Sequence, residues 1–207
     1  MPPFGPKREL AALKRFVSEV EIRYLGVYLA APPTLAAPTR NEELDVAAFT
    51  VLAHGAFENY VEGVAVWALG KYTGNWIKRR RAGKGTAALL LTSAKAYDPS
   101  TDSNSVFDVI RLAIDSATTS HSKVIQQNNG TALQHLRSLL IPLGIDVPDD
   151  PLLSPSLAKL VKLRHEWAHQ SRFGARQLIT ARAAADAAGD CVKIAERIHG
   201  NVVRLRL

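Results

Sequence analysis

Between residues 41 and 69, Leu44, Val46, Phe49, Leu52, Phe57, Tyr60 and Val64 recur at steps that keep apolar side chains around most of a helix. Successive helical residues advance by about 100°, so this spacing predicts one long helix. Asn41 or Thr39 stands where its N-cap belongs. A helix that is apolar on most sides cannot lie on a surface, so it belongs at the centre of a core. Its polar exceptions, His54, Glu58, Asn59 and Glu62, are therefore conspicuous. The plain expectation is that they are exposed or hydrogen-bonded.

The rest of the chain follows the same period. Leu10, Leu13, Phe16, Val17, Val20, Tyr24 and Tyr28 predict a first helix over about 9–30, ended by Ala31-Pro32-Pro33. Further helices are expected over about 86–96, 105–126 and 131–140. Four prolines, from Pro142 to Pro155, then mark a rigid connection. Ser154 or Ser156 opens a helix carrying Leu157, Leu160, Val161, Leu163, Trp167 and Ala168 on its apolar positions. A turn over 172–177 containing Gly174 leads to an alanine-rich helix over 178–199, with 201–207 as a short tail. No stretch sustains a period of two, and no repeat is present. The fold class is all-α.

A chain of 207 residues, 47% hydrophobic and 22% charged, can bury a real core as one domain over 1–207. No apolar run approaches the roughly 18–20 residues that cross a bilayer. No signal-peptide pattern opens the sequence. Cys191 is the only cysteine, which excludes an intrachain disulfide and a thiolate metal cage and fits a reducing cytoplasm. The net charge is +7, and arginine outnumbers lysine 16 to 10. That balance suits phosphate contact, although basicity alone also fits an ordinary soluble protein.

Residues 71–85 break the apolar pattern, setting Lys71, Lys78, Arg79, Arg80, Arg81 and Lys84 among Tyr72, Trp76 and several glycines. Cations beside aromatics suit a nucleic-acid strand, and a solvated loop is the other reading. Lys78, Arg79, Arg80, Arg81 and Lys84, with Arg172 further on, are the candidate RNA contacts. Gly83-Lys84-Gly85-Thr86 lacks the G-x4-G-K-[ST] spacing of a phosphate-binding loop.

Leu163-Arg164-His165-Glu166-Trp167-Ala168-His169 satisfies two patterns at once. His165 to His169 is H-E-x-x-H, in which two histidines one turn apart share a zinc ion and Glu166 activates its water. Arg164 to His169 is R-x4-H, an arginine and a histidine able to act on RNA without a metal. By chance H-E-x-x-H is much the rarer. It lacks its complement here, however, because no H-x-x-G-x-x-H continuation follows. The acids Asp186, Asp190 and Glu196 form no second motif, and no strand is available to hold a peptide.

The run from Leu160 to His169 resembles the L-x-x-L-R-[NDH]-x-x-A-H pattern of HEPN-domain proteins. The stretch from Ala53 to Glu62 is similar to that family's earlier core helix. The resemblance covers mainly 41–70 and 155–200, and the length favours the larger RiboL-PSP/MAE-type members. It implies an up-and-down helical bundle with core helices at about 7–30, 41–70, 155–171 and 178–199. Additional helices would be inserted between the second core helix and the motif helix, over about 71–154.

The resemblance also implies a metal-independent endoribonuclease, without cofactor, leaving 2′,3′-cyclic phosphate and 5′-hydroxyl ends in a toxin or antiviral setting. Arg164 would stabilise phosphate charge and His169 exchange the proton, with His165 orienting the site and Glu58 as supporting acid. The tyrosine that commonly follows the histidine by two residues in the paired toxins is Ser171 here. Arg164 and His169 stand about 140° apart around a straight helix. A homodimer with motif helices at its two-fold axis would pool them in one cleft. An antitoxin or defence-system partner is a further expectation. A non-catalytic HEPN module binding RNA or protein, and a zinc metallopeptidase, remain as alternatives.

Overall fold

The structure, a computed structural model, describes residues 5–32, 37–93, 105–148, 150–169 and 179–205, without the side chains of 106, 107, 168 and 169. Among these are seven α-helices: α1 (Pro6–Ala30), α2 (Arg40–Arg79), α3 (Lys84–Ser93), α4 (Val106–Gln126), α5 (Leu133–Leu140), α6 (Ser154–His169) and α7 (Ala181–Arg204). A 3-10 turn over Ile141–Leu143 follows α5. Of the two candidate caps for α2, Thr39 serves, its hydroxyl accepting from the Glu42 amide at 3.3 Å. Ser105 and Thr180 cap α4 and α7 in the same way.

α1 and α2 form an antiparallel hairpin. At one end the Tyr28 hydroxyl donates to Asp45 at 2.7 Å. Further along, Leu13 and Tyr60 line one shallow cleft. α7 packs on both helices, again antiparallel to α1, because Arg182 reaches the Leu29 carbonyl while Lys14 pairs with Glu196. α6 closes the bundle against α2 and α7, tied by Ser156 donating to Asp190 at 2.7 Å. The core is therefore α1, α2, α6 and α7. Phe49, Phe57, Val64 and Ala65 of α2 are essentially inaccessible at its centre. Of the inserted helices, α4 and α5 pack on the remainder of α2, and α3 packs on α4 and the 3-10 turn.

Two expectations about helix ends are corrected. α2 does not stop near residue 69; it continues ten residues to Arg79. Glycine and charge content argued for a loop there, but Tyr72 and Trp76, one turn apart, are both buried. Their burial outweighs the weak helix propensity of Gly70 and Gly74. Nor is 201–207 wholly a tail, since α7 continues to Arg204 and Val202 lies in the core. The 172–177 turn lies outside the described residues.

The Tyr72 hydroxyl donates to the Leu143 carbonyl at 2.6 Å, locking α2 to the 3-10 turn. Its phenol end fills the space beside Gly85, where an added Cβ would stand 1.9 Å from the ring's Cζ. Gly85 is thus a packing glycine of α3. Gly85→Ala should cost about 2–3 kcal/mol by forcing this buried ring aside. Urea unfolding of the variant should show the loss as a lower midpoint.

Candidate functional site

Leu157, Leu160 and Leu163 are buried and seat α6 on the core. Arg164, the next residue round the helix, is half-buried and lies within electrostatic reach of His54 and Glu58 on α2. The two elements that the sequence singled out separately are thereby joined.

His54, Glu58 and Glu62 follow one another at single-turn intervals along α2. The segment joining α4 to α5 crosses this face. Thr131 Oγ1 and His54 Nε2 share a buried hydrogen bond of 2.8 Å. Asn128 Nδ2 donates to Glu62 Oε1 at 2.7 Å. Glu58 sits between them, with Oε2 3.9 Å from His54 Nδ1. Its Oε1 is buried and has no hydrogen-bond partner among the described residues. His135, in the first turn of α5, adds a second imidazole near Glu58. Its ring lies over Gly130, where a Cβ would come within 2.6 Å of Nδ1. That Nδ1 is likewise buried without a hydrogen-bond partner among the described residues.

Electrostatics follow from this enclosure. Burial pushes His54 from its usual 6.5 down to about 4, and the Arg164 cation acts in the same direction. Burial lifts Glu58 above the ordinary carboxylate range, and Glu62 adds to the rise. Arg164 and His135 oppose it. A carboxyl that holds its proton more tightly than usual, within electrostatic reach of a guanidinium, can help to orient that arginine.

The depressed His54 gives a pH signature. The unfolded chain binds this proton near pH 6.5 while the folded protein resists it until about pH 4. The stabilisation is complete above about 6.5 and is lost as pH falls towards 4, on the order of 2–3 kcal/mol in all. Burial lowers His121 too, so it contributes in the same direction. Urea midpoints measured from pH 7.5 to 4.5 should fall steeply in the wild type and less so in His54→Asn. Equal slopes would show that His54 is not the group responsible.

The remaining candidates fall in several places. His165 is exposed and lines a groove of about 690 Å³ with Leu133, Pro151 and Lys162. Glu166 lies 3.9 Å from Lys162, one turn back. His169 ends α6, and its side chain lies outside the described residues, as does Arg172. Among the described residues no group of three or more His, Cys, Asp or Glu is placed to hold a metal.

Lys78 and Arg79 close α2, Arg80 caps it in the left-handed conformation (φ 53°), and Arg81 and Lys84 lead into α3, all exposed. The rise of α2 puts Lys78 roughly 30 Å from Glu58, so this basic segment is not part of the Arg164 cluster. Tyr72 and Trp76, expected as its aromatic companions, are core residues. Asn128, Thr131 and His135 were not visible from sequence, because no periodicity marks which distant turn a connecting segment will cover.

An all-α bundle with a late R-x4-H helix packed on a long, polar-interrupted core helix defines a HEPN module. The family model RiboL-PSP-HEPN matches residues 21–202, so the chain belongs to that family. No curated protein and no solved structure matches it. Among the described residues no helix is long and apolar enough to cross a membrane.

Proposed function

We propose that this HEPN protein is a metal-independent endoribonuclease whose single domain spans 1–207. The observation that carries the reading is that Arg164 of R-x4-H lies within electrostatic reach of the half-buried Glu58 and the buried His54 of α2. The 2′-oxygen of RNA attacks the adjacent phosphorus, the P–O5′ bond breaks, and 2′,3′-cyclic phosphate and 5′-hydroxyl ends result. His169 exchanges the proton near neutral pH, and Arg164 stabilises charge growing on the phosphate oxygens. Glu58 positions Arg164, and His165 orients the site. A homodimer pairing two α6 helices brings the arginines and histidines into one cleft and supplies base and acid together. The basic residues Lys78 to Lys84, with Arg172, hold the RNA. Action in the cytoplasm, within a toxin or phage-defence system that includes a neutralising or activating partner, completes the reading.

The test is RNA incubated with wild-type and His169→Ala protein, with and without EDTA, and with end analysis of the products. Cleavage that survives EDTA, is lost in the variant and leaves cyclic-phosphate ends is expected. Stoichiometric zinc together with chelator-sensitive proteolysis would overturn it. A second reading, a HEPN module that binds RNA without cutting, draws on the distance between the basic segment and Arg164. RNA bound but left intact by the wild type selects that reading.

A further inference from the structure

Gly70 and Gly74 stand one turn apart inside α2, where glycine is a poor helix former relative to alanine. At Gly85 packing demands the missing side chain; here it does not. A Cβ at either position would meet nothing within 4 Å. What the two glycines leave is a groove of about 500 Å³ on the outer surface of α2.

The wall of that groove is built from one stripe of the helix. Trp67, Lys71, Asn75 and Lys78 follow at steps of four, four and three, and all four line it, joined by Arg79. Trp67 is half-buried, packed against the core yet open to the groove. Lys71 Nζ lies 5.6 Å from the centre of its ring. The groove therefore offers an aromatic surface, an amide and three cations, above a floor of Val66, Gly70 and Gly74. Arg80, Arg81 and Lys84 extend the positive charge past the helix end.

We propose that this groove is a nucleotide subsite for single-stranded RNA, with a base laid on Trp67 and the flanking phosphates held by Lys71, Lys78 and Arg79. The assignment rests on RNA being the ligand of the proposed function, and does not require that the RNA be cut. Charge complementarity selects a polyanion, and the indole selects one that carries flat rings. A duplex keeps its bases stacked inside, so only a single strand can place one against Trp67. On binding, Lys71 exchanges the ring face for a phosphate. The true aromatic partner of the basic segment is then Trp67, in place of the buried Tyr72 and Trp76.

The test measures binding of a labelled, uncleavable 2′-O-methyl single strand by fluorescence anisotropy to the full chain. Gly70→Leu/Gly74→Leu fills the groove and should raise Kd at least tenfold, with the thermal midpoint unchanged or higher. Lys71→Glu/Lys78→Glu, at exposed positions, should weaken binding as strongly and flatten its salt dependence. A duplex of the same sequence should bind more weakly and respond little to groove filling. Kd values within twofold of wild type in both variants would overturn the subsite, as would a wild type that binds no single strand. Poly-glutamate bound as tightly, with the same sensitivity to both variants, would overturn the nucleotide assignment. The nuclease reading fails separately: if the wild type cuts nothing yet the groove variants lose binding, the subsite stands without it.

Discussion

Arg164→Ala and His169→Ala should each lower the rate of RNA cleavage by roughly 10³-fold while leaving single-strand affinity within a few-fold of wild type. The size follows from what each group does. A positioned acid or base contributes about 10²–10⁴, and a fixed charge aimed at a developing oxyanion about 10²–10³. Affinity is expected to survive because the basic residues proposed to meet the strand, from Lys71 to Lys84, begin roughly 20 Å along the α2 axis from Glu58. Arg164→Lys should remain strongly impaired, since an ammonium cannot reproduce the planar fork of a guanidinium. Because the two residues diverge by about 140° around α6, a shared two-fold cleft makes a further demand. Mixing the two inactive variants should restore measurable cleavage through heterodimers with one intact arginine and one intact histidine. Single-turnover rates on one RNA check all three expectations. Near-wild-type cleavage by either alanine variant removes that residue from the reaction.

Phe57→Ala should cost about 3–5 kcal/mol. Phe57 is 1% exposed and sits mid-way along α2, the helix on which α1, α6 and α7 all pack. Removing its ring leaves a void that three neighbouring helices cannot close together, so the cavity cost adds to the lost transfer energy. For a domain of this size the melting midpoint should fall by roughly 10 °C. The adjacent Glu58 makes the variant informative about function as well. RNA cleavage should fall at temperatures where the protein is still folded, because α2 positions Glu58 against Arg164. Calorimetry together with activity at 15 °C separates these effects. A midpoint within about 2 °C of wild type would show that α2 is not the keystone of the core.

The helices themselves were legible because each repeats its apolar residues at the helical period. The starts of α4 and α6 and the cap at Thr39 follow from local chemistry acting over one turn, whereas α1 begins at Pro6, a turn ahead of the expected residue 9. The R-x4-H pattern was equally local, lying within a single helix. What reached further was not legible. Residues 70–79 carry a loop-like composition, yet remain helical because Tyr72 reaches the Leu143 carbonyl 71 positions away and Trp76 is buried. Gly83-Lys84-Gly85-Thr86 lacks the spacing of a phosphate loop, and nothing in it announces that Gly85 is the seat of the Tyr72 ring.

The candidate site divides in the same way. His54, Glu58 and Glu62 could be picked out as polar residues on an otherwise apolar helix and Arg164 by its motif, but their association could not. Thr131 meets His54 across 77 positions, and Asn128 meets Glu62 across 66. The sequence by itself determined an all-α chain, a central helix and a charged motif near its end, since these depend on spacing within about one helical turn. Only the tertiary structure decided that the α4–α5 connection roofs the α2 acids and that Arg164 faces them. It alone also placed Tyr72 and Trp76 inside and left Trp67 open. Burial and charge pairing act through space, and the sequence records neither until helices far apart along the chain are packed together.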